Sequence, residues 1–293
     1  KRASDDVNIV ANVHGGDGDD QLQVISTGDL DGRSVTVMDQ SVVGLVGSDI
    51  AYDTIEEATI KGGLGDDNYT VTDVHEVDQV VRTGEGEDWI EINESAGDVE
   101  GVEIYGEEGD DYLDIVNDDG LVGTSEQIFF DGGAAGYDVL RLRGDTAVDT
   151  SVYQMGADNT SGTVYHNKGE QTQTVEFTNL EPVIDVVAAA SLTVEPGISG
   201  AVDYTVNFED GPNSGDDAAL GTPGGTNAVS GKVQFNDFEY IEFSMKDELL
   251  INADAGNDSI ILSHSGTPNS LVGITVDGGG HSTGDLLVVR DSD

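Results

Sequence analysis

Glycine and aspartate recur together in a nine-residue pattern whose oxygen atoms could bind a cation. Two copies, residues 15–23 and 62–70, match Gly-Gly-x-Gly-x-Asp-x-U-x at every defined position, where U is a large apolar residue. Glycine tolerates the positive φ of a tight turn and lets backbone carbonyl oxygens approach an ion closely. Because Ca²⁺ takes carboxylate and carbonyl oxygens at about 2.3–2.6 Å, the pattern predicts calcium-binding turns.

Five looser copies keep part of the pattern; they occupy residues 83–90, 106–113, 132–140, 253–260 and 278–287. One turn would supply about half of a calcium shell, and the same turn on a neighbouring coil would supply the rest. Plain β-turn chemistry is the alternative, since glycine and aspartate favour turns without any ion.

The overall charge favours divalent cations as partners. The chain carries 59 Asp plus Glu against 11 Lys plus Arg, a formal net charge of -48. Two carboxylates about 4 Å apart repel by roughly 4 kcal/mol at an effective dielectric constant near 20. The charge argues against nucleic acid and anionic membranes as partners. Zinc is disfavoured because there is no cysteine, and we expect the five histidines on the surface: His14, His75, His166, His264 and His281.

The elements that position these turns are short strands. Apolar residues alternate after each turn, as in Ile90/Ile92 and Leu113/Ile115, which is typical of strands with one buried face. From Gly65 to Gly86 is 21 residues, and from Gly86 to Gly109 is 23. A repeat of this length matches one coil of a solenoid, so we expect an all-β, right-handed parallel β-solenoid with about one Gly-Asp turn per coil on one edge.

Three regions follow from the distribution of the motif. We expect calcium-binding solenoid coils over 1–143, an irregular β region with longer loops over 144–248, and C-terminal calcium-binding coils over 249–293. The middle region repeats a phrase of its own, since residues 175–183 resemble residues 233–241. It could form further coils with insertions or a small β-sandwich, and the short apolar runs favour coils.

The nonapeptides resemble the calcium-binding repeats of the repeats-in-toxin (RTX) family, whose tandem repeats form parallel β-rolls. Here one motif occurs per coil. The Leu-Glu-Pro and Gly-Asn-Asp phrases resemble repeats of very large bacterial surface proteins. The resemblance implies several bound Ca²⁺ ions. Carried over by position, it implies these ligand aspartates: Asp20, Asp67, Asp88, Asp111, Asp138, Asp258 and Asp285. Polar residues in or beside the same turns are further candidate metal ligands: Asp17, Asp19, Asp66, Glu87, Asp110, Asp254, Asn257 and Asp277.

Enzyme chemistry finds little support in the sequence. Some polysaccharide lyases are calcium-dependent β-helices with a basic catalytic residue, and Arg141 and Arg143 are the paired basic residues of this chain. We expect these two side chains on opposite faces of their strand, where they would not form one site. No nucleophile elbow, zinc motif or phosphate loop occurs, so we expect no catalysis. For Trp89 and Tyr112 we favour packing over a sugar-stacking platform.

The sequence thus predicts a secreted, cell-surface, calcium-stabilised structural or adhesive module. Alternatives are a calcium-dependent folding region that serves export and a β-helix that acts on or binds polysaccharide, with a surface glycan as partner. No apolar run approaches the roughly 18 residues of a membrane span, so we expect no membrane insertion. No end cap is recognisable, so we expect self-association into filaments or contact with neighbouring repeats of the same protein.

Overall fold

The computed structural model describes residues 11–47, 49–72, 77–93, 101–123, 126–198, 200–280 and 283–291. In these ranges the chain forms strands and one four-residue helix, α1 (Asp217–Leu220), which confirms the predicted all-β class. The strands are β1 (Ala11–His14), β2 (Gln21–Ile25), β3 (Ser34–Met38), β4 (Ser41–Val43), β5 (Ile50–Asp53), β6 (Glu57–Lys61), β7 (Asn68–Val71), β8 (Asp78–Glu85), β9 (Trp89–Asn93), β10 (Val102–Glu108), β11 (Tyr112–Val116), β12 (Ile128–Asp131), β13 (Val139–Arg143), β14 (Val148–Met155), β15 (Gly162–Lys168), β16 (Gln171–Thr178), β17 (Val183–Asp185), β18 (Ala189–Pro196), β19 (Thr205–Asp210), β20 (Gly231–Phe235), β21 (Ile241–Phe243), β22 (Lys246–Asn252), β23 (Ser259–His264), β24 (Gly273–Asp277) and β25 (Leu286–Asp291).

These strands form two long sheets. The first sheet has 14 strands in the order β1-β5-β4-β3-β7-β9-β11-β13-β17-β21-β20-β19-β23-β25. The second has 11 strands in the order β2-β6-β8-β10-β12-β16-β15-β14-β18-β22-β24. Most neighbouring strands are parallel, as the sequence predicts.

From β6 to β13 the chain alternates between the two sheets at every strand. Each strand from β6 to β11 pairs in parallel with the strand two elements later. Ile90 in β9 therefore lies opposite Leu113 in β11, and Leu113 lies opposite Leu140 in β13. The spacing between successive glycine turns therefore equals the sequence separation of paired residues in neighbouring parallel strands.

Three antiparallel meanders interrupt this alternation. They are β3–β5 and β19–β21 in the first sheet and β14–β16 in the second. In each meander the last strand returns beside the preceding coil, and the first strand pairs in parallel with the following coil. The strands of the middle region 144–248 thus extend the same two sheets, and two of the three meanders are its longer insertions.

Apolar side chains fill the space between the sheets. In β9, Ile90 and Ile92 are buried, whereas Trp89 and Glu91 lie on the outer face of the first sheet. The two similar segments, residues 175–183 and 233–241, are placed differently in the two sheets. Their last residues, Val183 and Ile241, are opposite each other in parallel strands of the first sheet. Phe177, in the first segment, belongs to β16 of the second sheet, whereas the corresponding Phe235 belongs to β20 of the first sheet.

Candidate metal-binding turns

Six of the seven glycine–aspartate turns lie along one edge, because each connects a strand of the second sheet to the next strand of the first. Four are consecutive and lie between β6 and β13. Two more lie between β22 and β25. The turns on this edge therefore form two stacked groups, which the middle region separates.

The first copy lies on the other edge, since it connects β1 of the first sheet to β2 of the second. Its neighbour is the turn before β6: Gly16 N–H donates to Thr54 Oγ1 at 2.9 Å, and Asp20 N–H donates to Glu56 Oε2 at 2.6 Å. Asp17 and Asp19 are exposed. The prediction of one edge for all copies is thus wrong, because the same turn sequence can reverse the chain in either direction between the sheets.

The aspartates at the sixth position of the motif form a buried column along the stacked turns. The backbone N–H of Asp67 donates to Asp88 Oδ1 at 2.6 Å, and that of Asp88 donates to Asp111 Oδ1 at 2.9 Å. The backbone N–H of Asp111 donates to Asp138 Oδ1 at 2.8 Å. At the start of the column Asp67 Oδ1 accepts the N–H of Arg33 at 2.6 Å. Each aspartate thus fixes the turn that precedes it in the stack.

The fifth position forms a second, more exposed column that runs in the opposite direction. Asp66 Oδ1 accepts the N–H of Glu87 at 3.0 Å, and Asp110 Oδ1 accepts the N–H of Tyr137 at 2.8 Å. Each of these carboxylates fixes the turn that follows it in the stack. The paired acids of the motif therefore have a structural role that needs no ion.

The C-terminal group repeats both columns. Asp258 Oδ1 accepts the N–H of Tyr204 at 2.8 Å, and Asp285 Oδ1 accepts that of Asp258 at 3.1 Å. In the outer column, Asn257 Oδ1 accepts the N–H of Thr283 at 2.9 Å.

Two other candidate ligands of this group accept the N–H groups of glycines, Asp254 from an earlier turn and Asp277 from its own turn. Asp254 Oδ2 accepts the N–H of Gly200 at 3.3 Å, and Asp277 Oδ1 accepts the N–H of Gly279 at 2.9 Å. Asp277 is exposed and Asp254 is half-buried. The structure therefore keeps these two carboxylates outside the buried column.

The third glycine of the motif, at its fourth position, allows the turns to stack closely. Gly86, Gly109 and Gly136 have φ of 132°, 141° and 133°, a region that side chains rarely adopt. A Cβ on Gly109 would overlap the carbonyl oxygen of Gly86, and one on Gly136 would overlap that of Gly109. The carbonyl oxygen of one turn thus lies against the glycine Cα of the next turn, at the same edge as the aspartates.

The buried column leaves carboxylate oxygens without partners. Asp88 and Asp111 are fully buried, and the Oδ2 atom of each has no hydrogen-bond donor. Asp258 has the same unpartnered Oδ2. An ionised carboxylate is costly in such a place unless a proton or a cation compensates it.

The pKa values of the column express this cost. Burial raises the pKa of Asp88 to about 6, that of Asp111 to about 8 and that of Asp138 to about 7. Neighbouring acids add to the increase, as Asp88 and Asp138 do for Asp111. By contrast Asp67 Oδ2 accepts a hydrogen bond from the Tyr69 hydroxyl at 3.2 Å.

A cation at these turns would need backbone ligands. Within the described ranges, no group of three or more Asp, Glu, His or Cys side chains is arranged to hold a metal ion. The unpartnered Oδ2 atoms and the stacked glycine carbonyls are nevertheless hard oxygen donors, which suit Ca²⁺. The donor set therefore fits calcium as a site of one or two carboxylates completed by carbonyl oxygens.

Two aromatic rings stack on the outer face of the first sheet, next to the turns. The rings of Trp89 and Tyr112 lie 5.4 Å apart at 16°. Together with Tyr137, Pro182 and Asn213 they line a cavity of about 310 Å³ beside α1. Trp89 and Tyr137 remain partly exposed, so the cavity has an aromatic wall that solvent reaches.

The two arginines share one site, so the expectation of opposite faces is wrong. Residues two apart in a strand face the same side. Arg141 Nε and Nη2 bind the two oxygens of Asp114 at 2.6 and 2.7 Å, and Arg143 Nε binds Asp114 Oδ2 at 3.0 Å. Arg141 Nη1 also donates to the carbonyl oxygens of Ala218 and Ala219 in α1. These contacts anchor the loop that covers the sheet.

The surface prediction for the histidines is also wrong in part. His166 is fully buried, because Gln173 and Asp185 satisfy its two ring nitrogens. His264 is half-buried and His14 is exposed. His75 and His281 lie outside the described residues.

The turns that flank the two stacks lack the nonapeptide, so the sequence analysis does not predict them. Arg33 and Tyr204 occupy the column position that aspartate has in the motif, and their backbone N–H groups bind Asp67 and Asp258. The glycine-rich phrases around them, 28–32 and 197–200, were the available signal, but they lack the following aspartate.

No protein-family model, no curated protein and no solved structure matches this chain. Among the described residues, no helix has the length and apolar character needed to cross a bilayer.

Proposed function

We propose that this chain is an extracellular, calcium-stabilised structural or adhesive module of a cell-surface assembly. In this proposal the two sheets are the faces of a right-handed parallel β-solenoid, and the stacked glycine–aspartate turns are its calcium-binding edge. The chain has no catalytic role here.

The observation that carries the proposal is the buried aspartate column. Asp88 and Asp111 each use one oxygen to fix the preceding turn, and each leaves the other oxygen buried without a donor. A protein that needed these residues for turn geometry alone could use asparagine, which accepts the same hydrogen bond without a charge. Retaining the charge at consecutive turns therefore favours a bound cation.

The residues that would hold calcium are the buried aspartates of both groups together with glycine carbonyls between adjacent turns. Bound Ca²⁺ would supply positive charge that offsets the buried carboxylates. Adjacent turns would share ions, since the aspartates of successive coils lie in one column and bond to each other's backbone.

An extracellular location agrees with sites of this kind. Calcium sites of extracellular modules function at about 10⁻⁴–10⁻³ M Ca²⁺. A site with one or two carboxylates per ion has too few charged ligands for the nanomolar affinity of cytosolic buffers. The net charge of -48 also suits a protein that is exposed to such calcium.

Self-association is part of the proposal. β25 is an edge strand of the first sheet, and Leu286, Leu287 and Val289 on it are exposed. An exposed edge with apolar side chains is a template for pairing with another strand. We infer that further coils, from a second copy or from neighbouring repeats, pack against this edge.

Thermal unfolding with and without calcium tests the proposal. A ligand that binds the native state alone stabilises it by RT ln(1 + [L]/Kd), so chelation should lower the melting temperature. Mg²⁺ should restore the melting temperature poorly, because it demands near-octahedral geometry. An identical melt in chelator and in millimolar Ca²⁺ would contradict the calcium role.

The stacked aromatic pair supports a second candidate function, the binding of a polysaccharide. Trp89 and Tyr112 present adjacent ring faces at a solvent-accessible cavity, and aromatic faces suit the apolar faces of sugar rings. Trp89→Ala should abolish retention on immobilised neutral polysaccharide. Tyr105→Ala, on the second sheet, is the matched control and should leave retention unchanged. Equal retention of wild type and Trp89→Ala would rule out this role for the pair.

A further inference from the structure

A charged cluster lies fully buried between the sheets, and its residues do not belong to the glycine–aspartate turns. Lys246 opens β22 in the second sheet, and Asp185 closes β17 in the first. Lys246 Nζ lies 2.8 Å from Asp185 Oδ1, and both side chains are 0% exposed. An ion pair in such a place loses hydration that its mutual attraction seldom repays.

The two oxygens of Asp185 have different partners. Oδ1 accepts the backbone N–H of Val187 at 3.1 Å. Oδ2 accepts the hydroxyl of Ser151 at 2.7 Å and lies 3.0 Å from His166 Nε2. Lys246 Nζ also donates to the carbonyl oxygen of Val187, which holds the amine beside the carboxyl group.

The hydrogen-bond network places a proton between His166 Nε2 and Asp185 Oδ2. Gln173 Nε2 lies 2.6 Å from the carbonyl oxygen of Val122, which only accepts, so the Gln173 amide orientation is fixed. Gln173 Oε1 is therefore the acceptor facing His166 Nδ1 at 2.9 Å, and Nδ1 carries a hydrogen. The short contact between His166 Nε2 and Asp185 Oδ2 then requires a second proton, on one atom or the other.

We propose that Lys246 and Asp185 are joined by an intramolecular isopeptide bond. The neutral amine nitrogen Nζ attacks Cγ of Asp185, the C–N bond forms, and the bond from Cγ to Oδ2 breaks. Two of the three ammonium protons end on Oδ2, directly or through His166, and Oδ2 leaves as water. The ion pair thus becomes a neutral amide plus water, and no oxidant or other reactant is needed.

The surroundings match each requirement of this condensation. Burial lowers the pKa of Lys246, which favours the nucleophilic neutral amine. The N–H of Val187 points at Oδ1, where negative charge develops during the attack. Ser151 and His166 are in contact with Oδ2, the oxygen that must be protonated to leave.

The bond would staple the first sheet to the second through β17 and β22. It would close a loop that contains the meander β19–β21 in a chain that has no cysteine. A cross-link of this kind stabilises mainly by constraining the unfolded chain, as a disulfide does. It would also remove two charges from the core.

Intact-mass spectrometry of the full chain tests the bond, with tandem mass spectrometry of its proteolytic peptides. The folded wild type should weigh one water molecule less than its sequence, and a branched peptide should connect Lys246 to Asp185. Lys246→Arg and Asp185→Ala should have their sequence masses, whereas Asp185→Asn should lose ammonia instead of water. Lys232→Arg is the control, since Lys232 forms a partly exposed pair with Glu209, and it should still lose water.

Two results would overturn the proposal. One is a sequence mass for wild-type protein whose circular dichroism shows that it is folded. The other is a water loss that maps to a linear peptide, as a succinimide would give. Both readouts use wild-type protein, so a variant that fails to fold does not affect the decision.

Discussion

Asp111→Asn should have opposite effects on stability without and with calcium. Asp111 is fully buried, and burial together with Asp88 and Asp138 raises its pKa from 3.8 to about 8. At pH 7 the metal-free native state must keep this carboxyl largely protonated. Each pH unit between 3.8 and 7 is worth about 1.4 kcal/mol, so holding the proton costs about 4 kcal/mol of the free energy of unfolding.

Asparagine removes this cost and keeps the hydrogen bond. Its Oδ1 can still accept the N–H of Asp88, which donates to Asp111 at 2.9 Å. The new amide N–H₂ replaces the unpartnered Oδ2 and costs roughly 1–3 kcal/mol if it too lacks a partner. In chelator the variant should therefore be more stable than wild type by about 1–3 kcal/mol.

Calcium should reverse the order. Wild type gains about 2.7 kcal/mol from a site at a Ca²⁺ concentration of 100 times Kd, and the variant loses a charged ligand and most of this gain. Urea denaturation at pH 7, in chelator and in about 100 mM Ca²⁺, which is about 100 times a Kd of 10⁻³ M, measures both free energies of unfolding. Asp110→Asn is the matched control, because Asp110 is partly exposed and accepts the N–H of Tyr137; it should change stability little in chelator. If Asp111→Asn destabilises equally in both conditions, the aspartate is a turn residue and not a ligand.

Three further predictions concern the pH dependence of stability, the stacking of the turns and the buried cluster. The metal-free protein should become more stable on acidification. The raised pKa of Asp111 contributes to the free energy of unfolding fully below pH 3.8, and this contribution is lost as pH rises through about 8. Urea midpoints across that pH range measure the effect, and a midpoint that falls on acidification would contradict it. Gly109→Ala should destabilise the protein by about 2 kcal/mol or more with and without calcium, because the φ of 141° and the Gly86 carbonyl oxygen exclude a Cβ at this position. A variant as stable as wild type would mean that the turns do not stack as described. His166→Gln should slow the loss of water at Asp185 by roughly 10²-fold in a time course after refolding, whereas a purely structural role would leave the rate unchanged.

The sequence was sufficient to predict the strands and the turn stack of the regular coils. The alternation of Ile90 and Ile92 shows which face is buried, and the spacing of the glycine turns reproduces the parallel register of β9 and β11. Both signals are local, or repeat at a constant interval, so they can be read without a structure.

The meanders and the edge of the first copy could not be predicted in the same way. A strand that turns back within one sheet has the same alternation as a strand that crosses to the other, so β3–β5 resembles three coil strands. The turn at 15–20 has the full motif on the opposite edge, because glycine permits the same reversal in either direction.

The buried cluster was hidden for a different reason. Ser151, His166, Asp185 and Lys246 come from four strands, β14, β15, β17 and β22, that the two meanders of the middle region bring together. Each is an ordinary polar residue in its own strand, and none has a spacing that indicates the others. Polar residues that meet through long-range topology leave no local signal in one sequence.

The calcium content of the folded protein tests the central claim most directly. The wild-type chain would be dialysed to equilibrium against millimolar Ca²⁺, and the bound calcium would be measured by atomic emission relative to the buffer outside. The buried aspartate columns predict more than one bound Ca²⁺ per chain, and a smaller number for Asp111→Asn. A folded wild-type chain that holds no calcium above the buffer concentration would contradict the account.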